Sequence, residues 1–69
     1  MKVKINKLGQ DAKDIYVPMG SKVSLALEAS GDSATGCQIT VDMQPASPDT
    51  ILNSEGSIIT LTQKVSGGN

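Results

Sequence analysis

The chain has 69 residues, 38% hydrophobic and 19% charged, which bounds it to one small folded domain with little apolar area to bury. Six lysines, no arginine and seven acidic residues give a formal net charge of −1, and Tyr16 is the single aromatic residue; a nucleic-acid binder of this size has a basic balance and stacking aromatics. Histidine is absent and Cys37 is the single cysteine, which excludes His-based zinc sites, Ser–His or Cys–His catalysis and an intramolecular disulfide. No apolar run is long enough to cross a bilayer and no signal-peptide pattern opens the chain, so no membrane role and a cytoplasmic protein are expected.

The opening "MKVKINKL" alternates, with Met1, Val3 and Ile5 on one side and Lys2, Lys4 and Asn6 on the other. That period predicts a half-buried strand with a solvated outer face. "GQDAK" is a turn by composition, and "DIYVP" predicts a second short strand, Ile15 and Val17 inward and Tyr16 outward, ended by Pro18. The period then changes. In "GSKVSLALEASG", Val23, Ala26, Leu27 and Ser30 recur at helical spacing, Ser21 is a candidate N-cap and Gly31 a candidate left-handed stop. This predicts one helix over 21–30 with a narrow apolar face and Leu25 off it.

"CQITVDM" returns to alternation, Cys37, Ile39 and Val41 inward and Gln38, Thr40 and Asp42 outward. "QPASPDTILNSEG" holds two prolines and several turn residues around the apolar pair Ile51 and Leu52, and predicts irregular chain with one short strand. "SIITLTQKV" closes the pattern as a strand with Ile59 and Leu61 inward and Thr60, Thr62 and Lys64 outward. With no Phe or Trp, the core has to come from Val, Ile, Leu and Met. The chain ends "KVSGGN".

A hairpin, a helix crossing back and further strands in so short a chain is the layout of the β-grasp (ubiquitin-like) fold. The expected class is α+β: a mixed sheet of four to five strands with one helix packed across one face. "DIYVPMGSKVSLALEASG" resembles the strand-and-helix segment of the small sulfur carriers of molybdopterin and thiamin synthesis. "ITVDMQPASPDTILNSEGSIITLTQKVSGG" resembles their second half, down to the terminal Gly-Gly. The resemblance covers nearly the whole chain and implies a domain over 1–65 followed by a flexible tail over 66–69.

In that family the C-terminal glycine carboxylate is the reactive group, and the resemblance implies the same here. Gly67 and Gly68 match the activated pair, and Val65 and Ser66 the segment gripped on the way to it. Glycine suits a narrow channel because it lacks a Cβ and lets other backbone approach closely. The resemblance also implies partners: an adenylating enzyme that brings ATP and magnesium, a sulfur-accepting synthase subunit and a tail-trimming peptidase. The chain itself is expected to bind no cofactor and no metal, and to be no enzyme.

Two features depart from the family. Asn69 follows the glycines, so activation at Gly68 requires its removal. "VDMQ" stands where the family has an Asn-Gly turn; a type I′ turn needs positive φ at both central positions, which Met43 disfavours, so a different turn or some strain is expected.

Elsewhere the residues have plainer readings. Cys37 opens a strand on its inward face and reads as a small buried hydrophobe, with no lysine cluster nearby in sequence to activate it. Lys2, Lys4, Lys13 and Lys64 are expected on one face of the sheet, steering an acidic partner or guarding strand edges. Tyr16, Ile58 and Thr60 are the candidates for a docking surface on that outward face. The seven carboxylates are scattered, and "GDSATG" lacks the Gly-Lys-Ser/Thr element of a phosphate loop. The alternative to a carrier is a β-grasp module that binds a partner with no covalent tail chemistry.

Overall fold

A computed structural model describes residues 1–63. They form β1 (Lys2–Lys7), β2 (Lys13–Tyr16), α1 (Val23–Ser30), β3 (Cys37–Val41), β4 (Gln44–Ala46) and β5 (Ser57–Gln63). The strands make one five-stranded sheet in the order β2-β1-β5-β3-β4. β1 and β5 run parallel at its centre, Val3 opposite Ser57 and Ile5 opposite Ile59, and every other neighbouring pair is antiparallel. The result is the expected mixed sheet with one helix across one face.

The alternation read from the sequence fixes which face is covered. Val3, Ile5, Ile39, Ile59 and Leu61 share the inner face, and Val23, Ala26 and Leu27 of α1 close over it with Val17 and Leu52. All ten are at most 6% exposed, so a chain without Phe or Trp still excludes water by interlocking aliphatic groups. Methionine contributes less than expected. Met1 packs partly against the core, whereas Met19 and Met43 are exposed.

The helix ends where the sequence predicts and starts later. Gly31 has φ 79°; its N–H donates to Glu28 O at 3.2 Å and the Asp32 N–H to Leu27 O at 3.1 Å, a Schellman stop that glycine adopts without a Cβ penalty. At the other end Ser21 is no N-cap. Its hydroxyl donates to Pro18 O at 2.6 Å, Lys22 takes the cap position, and the helix begins at Val23.

The first-turn N–H groups find their acceptors far along the chain: Val23 N–H donates to Thr50 O at 2.9 Å and Ser24 N–H to Pro48 O at 3.0 Å. This gives the "PASPDTIL" stretch a different role from the short strand expected around Ile51 and Leu52. Ile51 makes only an isolated bridge to Lys22, while the short strand lies earlier, at Gln44–Ala46. Pro45 is tolerated there because β4 is the sheet edge and that position needs no inward N–H. Leu52 then drops into the core at 1% exposure, locked by Leu52 N–H to Ser21 O at 2.7 Å.

Candidate functional site

The outer face of the sheet has no helix over it. Strand register places Tyr16 beside Lys2, Lys4 between Asp14 and Ile58, and Asn6 beside Thr60, which is opposite Thr40. Tyr16, Ile58 and Thr60 therefore all lie on this face. Tyr16 is 75% exposed and Ile58 41%, so Ile58 packs under no loop. Two strand spacings and two residues separate them, roughly 12 Å, so they are two contact points and not one continuous apolar patch.

The lysines divide. Lys2 and Lys4 sit on the outer face, but Lys13 is in register with Ile5, on the inner side. From there its ammonium reaches Ser30 O at 3.2 Å and Asp32 Oδ1 at 3.4 Å at the C-terminal end of α1, where a cation complements the helix dipole. That corrects the expectation of a shared lysine face, because β2 pairs with β1 in a register that turns residue 13 inward. Lys2 pairs with Asp14 at 3.7 Å, a half-exposed contact worth about 0–1 kcal/mol. Among the described residues Lys4 has no ion pair. Lys64 lies outside them.

Beside Ile58 the β3–β4 connection is a two-residue turn. Val41 is opposite Gln44, and both residues between have positive φ, Asp42 at 51° and Met43 at 70°, the type I′ pattern. Of the two outcomes expected at "VDMQ", strain is what occurs. Aspartate tolerates this region and an unbranched side chain such as methionine does so at a cost of roughly 1–2 kcal/mol. Asp42 holds the turn to the central sheet: its N–H donates to Ile58 O at 2.8 Å, and the Ile58 N–H donates to Asp42 Oδ1 at 3.0 Å. Met43 is 89% exposed, so nothing inside the protein offsets its strain. Sequence reasoning assigned Met43 no role. The signal that could have found it is the two-residue gap between the alternating run "CQITV" and the next strand, which demands a type I′ turn.

In β5, the central strand, Gln63 is opposite Cys37. A groove of about 290 Å³ lies there, lined by Leu8, Cys37, Leu61 and Gln63 among others. Cys37 is half-buried and packs against the core, as a small hydrophobe does. Among the described residues no group of three His, Cys, Asp or Glu side chains could hold a metal ion, and no helix is long and apolar enough to cross a membrane. The residues matched to the reactive tail, Val65, Ser66, Gly67 and Gly68, lie outside the described residues, as does Asn69.

No protein-family model matches the chain, and no curated protein matches it in sequence. Among solved structures it is similar to SAMP1 from Haloferax volcanii. The two share 16% sequence identity at a TM-score of 0.76, over 99% of this chain and 100% of that one. At that identity the likeness speaks for the fold, which is the ubiquitin-like β-grasp.

Proposed function

We propose that this protein is a ubiquitin-like sulfur carrier or protein modifier whose working group is the carboxylate of Gly68, exposed once Asn69 is removed. The observation that carries the reading is the whole-length likeness to SAMP1 in a chain whose central strand leads, within a few residues, to Gly67-Gly68. A carboxylate oxygen of Gly68 attacks the α-phosphorus of ATP held, with magnesium, on a partner adenylating enzyme. Pyrophosphate leaves and a glycyl adenylate remains. Hydrosulfide then displaces AMP to give a thiocarboxylate and a proton, or a lysine amine displaces it to give an amide and a proton.

In this reading the catalytic groups belong to the partner. Val65 and Ser66 are gripped in its channel, and Tyr16, Ile58 and Thr60 on the outer face dock against it. A synthase subunit that accepts the sulfur and a peptidase that removes Asn69 complete the set of partners. The protein would work in the cytoplasm, in cofactor biosynthesis or protein modification.

Intact mass of the protein purified from its own organism tests this directly. A species ending at Gly68, with sulfur in place of one carboxylate oxygen, is the expected result. A chain that retains Asn69 throughout would sink it. The uncovered face with Tyr16 and Ile58 favours a second reading, a β-grasp binding module without tail chemistry. Deleting Asn69 separates the two: it switches on ATP–pyrophosphate exchange with the adenylating enzyme for a carrier and changes nothing for a module.

A further inference from the structure

The two edges of the sheet are finished differently. At β4 the two-residue turn makes Val41 and Gln44 a hydrogen-bonded pair, so the backbone of Pro45 faces away from β3, and proline has no N–H to offer there. The next N–H on that side, that of Ser47, donates to Thr50 Oγ1 at 2.9 Å. β4 therefore presents no free strand donor.

β2 is the opposite case. Val17 N–H donates to Met1 O at 3.0 Å and Met1 N to Val17 O at 2.6 Å, so these two residues are a mutually bonded pair. Bonded pairs alternate with unbonded ones in an antiparallel ladder. Val3 with Ile15 and Ile5 with Lys13 are bonded in turn, and Lys2 with Tyr16 and Lys4 with Asp14 are not. The N–H and C=O groups of Asp14 and Tyr16 thus point away from β1, and among the described residues nothing pairs with them. Between them Ile15 packs against the core and is still only half-buried.

A second copy of β2 can meet this edge antiparallel in three ways that use both residues. Asp14 opposite Asp14 sets like charges directly across from each other. Tyr16 opposite Tyr16 brings Pro18, which has no N–H, opposite Asp14. Asp14 opposite Tyr16 has neither fault. It also places Ile15 opposite Ile15 as an unbonded pair, about 4.5 Å apart at Cα, so each covers the apolar surface the other leaves open.

We infer that two copies of this chain pair through β2 around a two-fold axis at Ile15, joining their sheets into one. Each Asp14 N–H donates to Tyr16 O of the second copy and each Tyr16 N–H to Asp14 O of the second copy. The contact is self-complementary, and a net charge of −1 per chain leaves little repulsion between copies. Since β4 offers no donor, assembly by this route stops at two. A four-residue edge is a small interface, so the dimer is a reversible one, half-formed at about 0.1–1 mM chain. β5 lies two strands in from this edge, so the pairing stands or falls apart from the carrier reading.

The test is equilibrium sedimentation of the full chain from about 0.01 to 1 mM, with the average mass expected to rise from that of a monomer toward that of a dimer. Over the same range the amides of Asp14 and Tyr16 should become slower to exchange with deuterium. Y16E sets two carboxylates opposite each other in both pairs and should weaken association about tenfold. D14K combined with Y16E puts opposite charges across both pairs and should recover it. Both positions are exposed, so the thermal midpoint of each variant should stay within about 4 °C of the wild type. A chain that stays monomeric at 1 mM overturns the inference and leaves the edge to some other strand. So does a dimer whose Asp14 and Tyr16 amides exchange at the monomer's rate, or one that Y16E leaves as strong as the wild type. A double variant weaker than Y16E alone overturns the register.

Discussion

Ile58 and Ile59 are neighbours on the same strand, with the same side chain, and they belong to different parts of the molecule. Ile59 is fully buried between β1 and β3 under α1, and Ile58 on the other face is 41% exposed. The inner face is saturated: aliphatic, sealed and without a buried side-chain polar atom lacking a partner among the described residues. The outer face keeps what folding alone would remove, the exposed Tyr16 and the half-exposed Ile58. Stability is concentrated on one side of the sheet, which leaves the other free to be shaped by contact with another molecule.

Four substitutions test that division. I59A should have the largest effect, destabilising the protein by about 2–5 kcal/mol in chemical denaturation, because it empties a fully buried site. In a domain this small that approaches its whole stability. D42A comes next, with an expected loss of about 1–2 kcal/mol. It removes the acceptor for the Ile58 N–H and puts a residue with a Cβ and no compensating hydrogen bond in the left-handed region. M43G should act in the opposite direction. Relief of roughly 1–2 kcal/mol of strain exceeds the extra unfolded-chain entropy of glycine, leaving a gain of about 0.5–1 kcal/mol in the same measurement. I58A should change stability least, by about 0.5 kcal/mol or less. If I58A cost as much as I59A, the outer face would be structural and the division between the two faces would fail.

The elements governed by local chemistry were legible in the sequence. Alternation located β1, β3 and β5 and assigned Ile58 and Ile59 to opposite faces, and Gly31 marked the end of α1 because a left-handed stop needs nothing beyond its own turn. The helix start was not legible. Its donors are satisfied by the carbonyls of Pro48 and Thr50, which tertiary structure brings there and which no local pattern announces. The same loop concealed β4, since a three-residue edge strand containing Pro45 has neither the length nor the composition of a strand. Lys13 was misplaced because the alternation that turns Ile15 and Val17 inward also turns residue 13 inward, and a lysine invites the opposite expectation. As to the candidate site, the outward parity of Tyr16, Ile58 and Thr60 could be read directly and the Gly67-Gly68 pair comes from the sequence itself. At Met43 the conflict between residue and turn was legible, and which way it resolves, a positive φ of 70° and not another turn, was not.

The parallel pairing of β1 with β5 has a consequence for how the protein is made. The middle of the sheet joins Val3 to Ser57 and Ile5 to Ile59, so the first strand synthesised has no partner on that side until nearly the last one has emerged. While the ribosome is still at work, β1 can form only its hairpin with β2, which is marginal on its own in water. Val3 and Ile5 stay exposed until β5 inserts between β1 and β3, and that insertion closes the longest loop in the domain. The sheet thus closes in one late step, when β5 joins β1 and β3.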